Sequence, residues 1–147
     1  MATFNKVNAF VEDLAEKVHN LGSDTLKVAL FASDPTASAT TYTALASSNG
    51  ELGNSNGYTT GGTSATISSS SQSSGTYKLV LADVTFTASG GDLGGTGDVF
   101  RYVVLYNDSA ASKQVIGYYD YGSNLTIADG NSFTVDFDAS NGVLTIA

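Results

Sequence analysis

The chain reads as a mainly β protein, an antiparallel β-sandwich of about eight strands, jelly-roll-like, preceded by one N-terminal amphipathic α-helix. Three observations predict this. From Thr25 onward apolar residues recur with a period of two, turn pairs such as Gly122-Ser123, Asp129-Gly130 and Asn141-Gly142 cut them into short segments, and no second helical stripe follows. A length of 147 residues suits one core, so residues 1–147 are read as a single domain.

The helix comes first. Phe4, Val7, Val11, Leu14, Val18 and Leu21 alternate spacings of three and four, which places them on one helical face over about residues 4–20, with Glu12, Asp13, Glu16 and Lys17 elsewhere. Thr3 suits the N-cap and Gly22 a left-handed C-terminus, so residues 1–22 form the helical segment. Leu26, Val28 and Leu30 then start the β region, 25–147, and Asp34-Pro35 ends its first strand. Residues 33–63 are a long Ser/Thr/Gly-rich loop with few large apolar anchors, among them Tyr42, Leu45, Leu52 and Tyr58. One short strand is expected at 64–69, then over 76–87 either one long strand or two strands joined at a bulge near Ala82-Asp83. The run from Val99 to Tyr106 is almost continuously apolar and β-favouring, which predicts the centre of the sheet. Strands at 114–121, 124–128, 132–137 and 142–146 complete the count.

Charge excludes several functions. Only 14% of residues are charged, and 6 Lys and Arg against 14 Asp and Glu give a formal net charge of −8, with the basic residues scattered. No stripe is present to neutralise phosphates, so nucleic acid is not an expected partner. No apolar run reaches membrane-spanning length, and Met1 to Phe10 does not read as an export signal; no membrane is expected. With Cys absent there is no thiol chemistry to consider.

The remaining polar clusters give no catalytic assignment, no cofactor and no metal. Asp136 and Asp138 share one face of a strand at a spacing a hard cation uses, with Asp129 near if the hairpin allows, yet aspartates on a solvent face explain them as well. Gly94 to Asp98 resembles a single calcium-binding nonapeptide, but that architecture needs stacked repeats. No serine lies in a Gly-x-Ser-x-Gly frame, and the single His19 is expected on the exposed or interfacial end of the helix. The chain is therefore read as not an enzyme. Tyrosines carry more: Tyr102, Tyr106, Tyr118, Tyr119 and Tyr121 gather in two strands expected to be adjacent, Tyr119 and Tyr121 on one face.

Several segments together resemble a group of small tailed-bacteriophage virion proteins: Lys6 to Gly22, Thr25 to Leu30, Asn56 to Gly62 and Phe100 to Asp108, with the likeness running to the final segment Asp136 to Ile146. That resemblance implies a structural role, most like a capsid decoration (cement) protein that bridges and stabilises major capsid protein subunits on the capsid exterior. It implies a homotrimer made in the host cytoplasm, and it brings no catalytic residues. The alternative is a tail, neck or head-fibre module that binds host glycans through its tyrosines. In either reading the candidate interface residues are Phe4, Val7, Val11, Leu14, Tyr42, Tyr58, Tyr119 and Tyr121.

Overall fold

A computed structural model describes residues 2–147. The chain is mainly β, with ten strands and two short helices among the described residues: β1 (Phe4–Lys6), α1 (Phe10–Ala15), β2 (Leu26–Phe31), α2 (Tyr42–Ser48), β3 (Thr63–Ala65), β4 (Ile67–Ser73), β5 (Thr76–Leu81), β6 (Val84–Thr87), β7 (Phe100–Asn107), β8 (Val115–Leu125), β9 (Ser132–Val135) and β10 (Leu144–Ile146). They form a five-stranded sheet in the order β1-β8-β7-β2-β3, a three-stranded sheet β10-β5-β4 and the pair β6-β9. Every pairing is antiparallel. One apolar core joins all three sheets through residues such as Phe31, Leu79, Phe86, Leu105 and Val135.

β7 lies at the centre of the five-stranded sheet, as its almost continuously apolar run predicts. It pairs with β2 from Leu26↔Asn107 to Phe31↔Tyr102 and with β8 on its other side. Seven of its eight residues are buried, because neighbouring layers cover both faces.

The N-terminus corrects the expected helix. Phe4–Lys6 is a strand paired with β8 at Phe4↔Tyr119, Asn5↔Tyr118 and Lys6↔Gly117, and the helix is confined to Phe10–Ala15. Thr3 caps nothing helical; Lys17, at φ +65°, takes the left-handed position expected at Gly22. The physical reason is competition. β8 otherwise ends the sheet as a bare edge, and Phe4 can lie over Gly117, where any Cβ would run into the Phe4 ring and the Asn5 carbonyl. Pairing Phe4–Lys6 there removes the first turn of the stripe, and a helix as short as the remainder depends on tertiary packing. Packing selects a different face from the sequence stripe: Val7 and Phe10 are buried, whereas Val11 is 57% exposed. Phe10→Ala is accordingly expected to cost about 3 to 5 kcal/mol, and Val11→Ala less than about 0.5 kcal/mol. Urea unfolding of the two variants checks this; equal losses would restore the helical stripe.

The segment expected as loop 33–63 contains α2, capped by the Thr41 hydroxyl accepting from the Ala44 N–H at 3.3 Å. It is tied to the sheet by bridges Phe31↔Glu51 and Thr41↔Gln114. The strand expected at 64–69 is two strands, β3 in the five-stranded sheet and β4 in the three-stranded one. Likewise the bulge expected at Ala82-Asp83 is a passage from one sheet to another, between β5 and β6, fixed by the Asp83 carboxylate accepting from the Phe137 N–H at 2.9 Å. Conversely, β8 runs unbroken through Gly122, where two strands were expected.

Candidate functional site

The most concentrated polar cluster centres on Glu51. One carboxylate oxygen accepts from the Tyr58 hydroxyl at 2.8 Å and the Gly61 N–H at 2.7 Å; the other accepts from the Tyr42 hydroxyl at 2.6 Å. The Tyr58 hydroxyl in turn accepts from the Leu30 N–H of β2 at 3.0 Å, and the Tyr106 hydroxyl of β7 donates to the Gly61 carbonyl at 2.7 Å. Tyr42 stacks on Tyr106 with ring centroids 4.4 Å apart. Close approach requires glycine here: at Gly62, φ +71°, a Cβ would collide with the Val28 carbonyl.

This arrangement holds α2 and residues 51–62 against β2 and β7. Burial, reinforced by the neighbouring Glu51 charge, pushes the Tyr42 and Tyr58 hydroxyls far above their ordinary value of 10. They therefore stay protonated and serve as donors. A carboxylate accepting from three donors, two of them hydroxyls that do not ionise, is a fixed latch between α2, residues 51–62 and the sheet.

A second buried centre joins the helical segment to the end of β7. The Asn107 side-chain oxygen accepts from the Ser109 and Ala110 N–H groups at 3.0 and 3.2 Å. Its amide nitrogen is thereby assigned as donor, to Asp24 at 2.6 Å and His19 Nδ1 at 3.1 Å. Since Nδ1 accepts, the neutral ring carries its hydrogen on Nε2, which has no partner. His19 is thus a buried core group, stacked on Phe10, rather than a histidine on the exposed or interfacial end of a helix as expected from sequence. Desolvation lowers its pKa below 6.5, against the opposing charges of Asp13 and Asp24.

Beside His19 lies an open cleft of about 660 Å³ between the 17–22 turn and one face of the three-stranded sheet. Leu14, Lys17 and Leu21 form one wall; Ser70, Tyr77 and Ile146, one from each strand, form the other.

The sequence-predicted interface residues divide sharply. Val7, Tyr58 and Tyr119 are buried within the chain itself. Phe4 and Tyr119 pack ring to ring at 5.2 Å, Tyr119 also meets Phe137, Tyr121 meets Phe133, and Tyr42 is held in the latch. Leu14 lines the cleft, and Val11 alone of the eight stands well out to solvent. The tyrosines of β7 and β8 therefore go largely into aromatic packing, with Tyr102 and Tyr118 edge to face at 6.3 Å.

Two of the aspartates singled out from the sequence hold backbone N–H groups. Asp138 accepts from the Ser140 and Asn141 backbone N–H groups, both at 2.8 Å, and these bonds with the Asn141 side chain hold its carboxyl below the usual range. Asp98, in the glycine-rich segment, accepts from the Gly53 N–H at 3.0 Å. Among the described residues no three His, Cys, Asp or Glu side chains gather as a metal site would require. Sequence reasoning singled out Tyr42 and Tyr58 but missed Glu51, Asn107 and the partnering of His19. A signal for the first existed: Glu51 is the one charged residue between Asp34 and Lys78. Compared with protein families, curated proteins and solved structures, the chain matches none.

Proposed function

We propose that this chain is a structural component of a tailed-bacteriophage particle, a decoration protein of the capsid exterior that bridges and stabilises major capsid protein subunits. In this reading the sheets pack as a sandwich-like body, and the protein works by contact rather than by chemistry. One observation carries the proposal beyond the sequence resemblance. Residues 52–77 contain no charged side chain in a chain of net charge −8, and from Thr63 to Thr76 nearly all of them are exposed. A surface of hydroxyls held on a rigid body can lie against a neighbour without desolvating charges. The latch at Glu51 supplies the rigidity by fixing the segment's base to β2 and β7.

Quantifying virion proteins tests the role: a decoration protein is present in hundreds of copies, comparable to the major capsid protein, and its removal lowers the temperature at which particles release DNA. A dozen copies or fewer, or unchanged particle stability, overturns the reading.

A further inference from the structure

β4 is the long open edge of the molecule. It pairs with β5 on one side, and among the described residues no strand lies on the other. The other edge strands are short: β1, β3 and β10 have three residues each, β6 and β9 four. Sheets protect their edges by shortness, charge, proline or bulges, because an open row of N–H and C=O groups pairs with other chains. β4 has seven residues, no charge and no proline, with one irregularity between Ile67 and Ser69.

Hairpin geometry identifies the open groups. Ser74 and Gly75 have φ of +49° and +84°, the two-residue turn that makes the flanking Ser73–Thr76 a hydrogen-bonded pair. Alternation then directs Ser71 and Ser69 toward β5, and turns the N–H and C=O of Ser70 and Gln72 outward. No turn or loop backbone group bonds to these four.

We propose that this edge pairs with β4 of a second copy of the chain, antiparallel about a two-fold axis at Ser71. Ser70 then meets Gln72 of the second copy, and Gln72 meets Ser70, closing four main-chain hydrogen bonds and joining two three-stranded sheets into one. Charge selects the occupant. A two-fold brings the same patch of both copies together, so an acidic patch of a chain of net −8 meets its own like charges there. Between Glu51 and Lys78 there is nothing to repel. The side chains that meet are hydroxyls, and the protein already pairs hydroxyls across strands, Thr85 with Thr134 at 2.9 Å and Thr87 with Ser132 at 2.8 Å. The isologous pair is a dimer, not the homotrimer implied by the virion resemblance, and it occupies part of the same uncharged surface on which the capsid role rests.

The test uses the full chain. Sedimentation of the wild type is expected to show mass rising with concentration from 15.1 kDa toward twice that value. Ser71→Glu, which faces Lys78 on its own sheet, is expected to weaken association at least tenfold, and mixing it with Ser71→Lys to restore a mixed dimer. Because the chain lacks cysteine, Ser71→Cys offers one thiol, and opposed residues of a non-hydrogen-bonded pair lie within disulfide reach. It should oxidise to a linked dimer while Ser47→Cys, on α2, stays monomeric. A wild type that remains monomeric, a trimer, or association untouched by Ser71→Glu overturns the proposal; so does a β4 edge that only an unlike chain occupies. Particle copy number is unaffected by any of these results, so the two readings fail separately.

Discussion

Glu51→Ala is expected to remove about 3 to 5 kcal/mol of folding stability. The carboxylate accepts from Tyr42, Tyr58 and Gly61, so its loss leaves the buried Tyr58 hydroxyl and two half-buried donors without that acceptor. Each buried donor left without an acceptor costs about 1 to 3 kcal/mol. Glu51→Gln keeps one carbonyl oxygen for Tyr58 and Gly61 and presents an amide to the Tyr42 hydroxyl, which can accept; about 1 to 2 kcal/mol is expected there. Denaturant unfolding separates these outcomes. A loss below about 1 kcal/mol for Glu51→Ala would mean that the 51–62 segment is held by apolar packing alone.

Asn107→Leu is expected to cost about 3 to 5 kcal/mol, although the two side chains are similar in size. Asn107 is fully buried and satisfies the Ser109 and Ala110 N–H groups while donating to Asp24 and His19. Leucine leaves two amide donors and the His19 acceptor without partners. The same centre gives a pH dependence. His19 is neutral in the fold and its pKa is lowered by burial, so below pH 6.5 the unfolded chain takes up a proton that the folded chain does not. Stability therefore falls as pH drops below 6.5 and levels off once the folded histidine also protonates. The lowered carboxyls of Asp108, Asp120 and Asp138 act in the same direction but only as pH falls below their ordinary value of 3.8. Unfolding free energy measured from pH 7.5 to 5 should slope for the wild type and flatten in His19→Gln; an unchanged slope in that variant assigns the effect elsewhere.

The candidate site was legible only in part. Tyr42 and Tyr58 stand out in a segment poor in large residues, and Glu51 is conspicuous once its isolation among uncharged neighbours is noticed. That they converge was not legible, since their meeting point is made by Leu30 of β2 and Tyr106 of β7. His19 was misplaced for a related reason: its partner Asn107 lies 88 residues away.

What the sequence by itself determined is whatever depends on neighbours a few residues away. The apolar run of β7 marks a covered central strand wherever it occurs. The β character of the chain after Thr63 is local in the same sense. The tertiary structure decided where strands pair and where the chain changes sheets. Phe4–Lys6 had a helical pattern and became a strand because β8, more than a hundred residues on, offered an edge. At Thr66 and Ala82-Asp83 the chain leaves one sheet for another, and at Gly122 it continues straight. Local propensity at such points differs by amounts smaller than the hydrogen bonds and buried area that one pairing gains over another, so distant partners settle them.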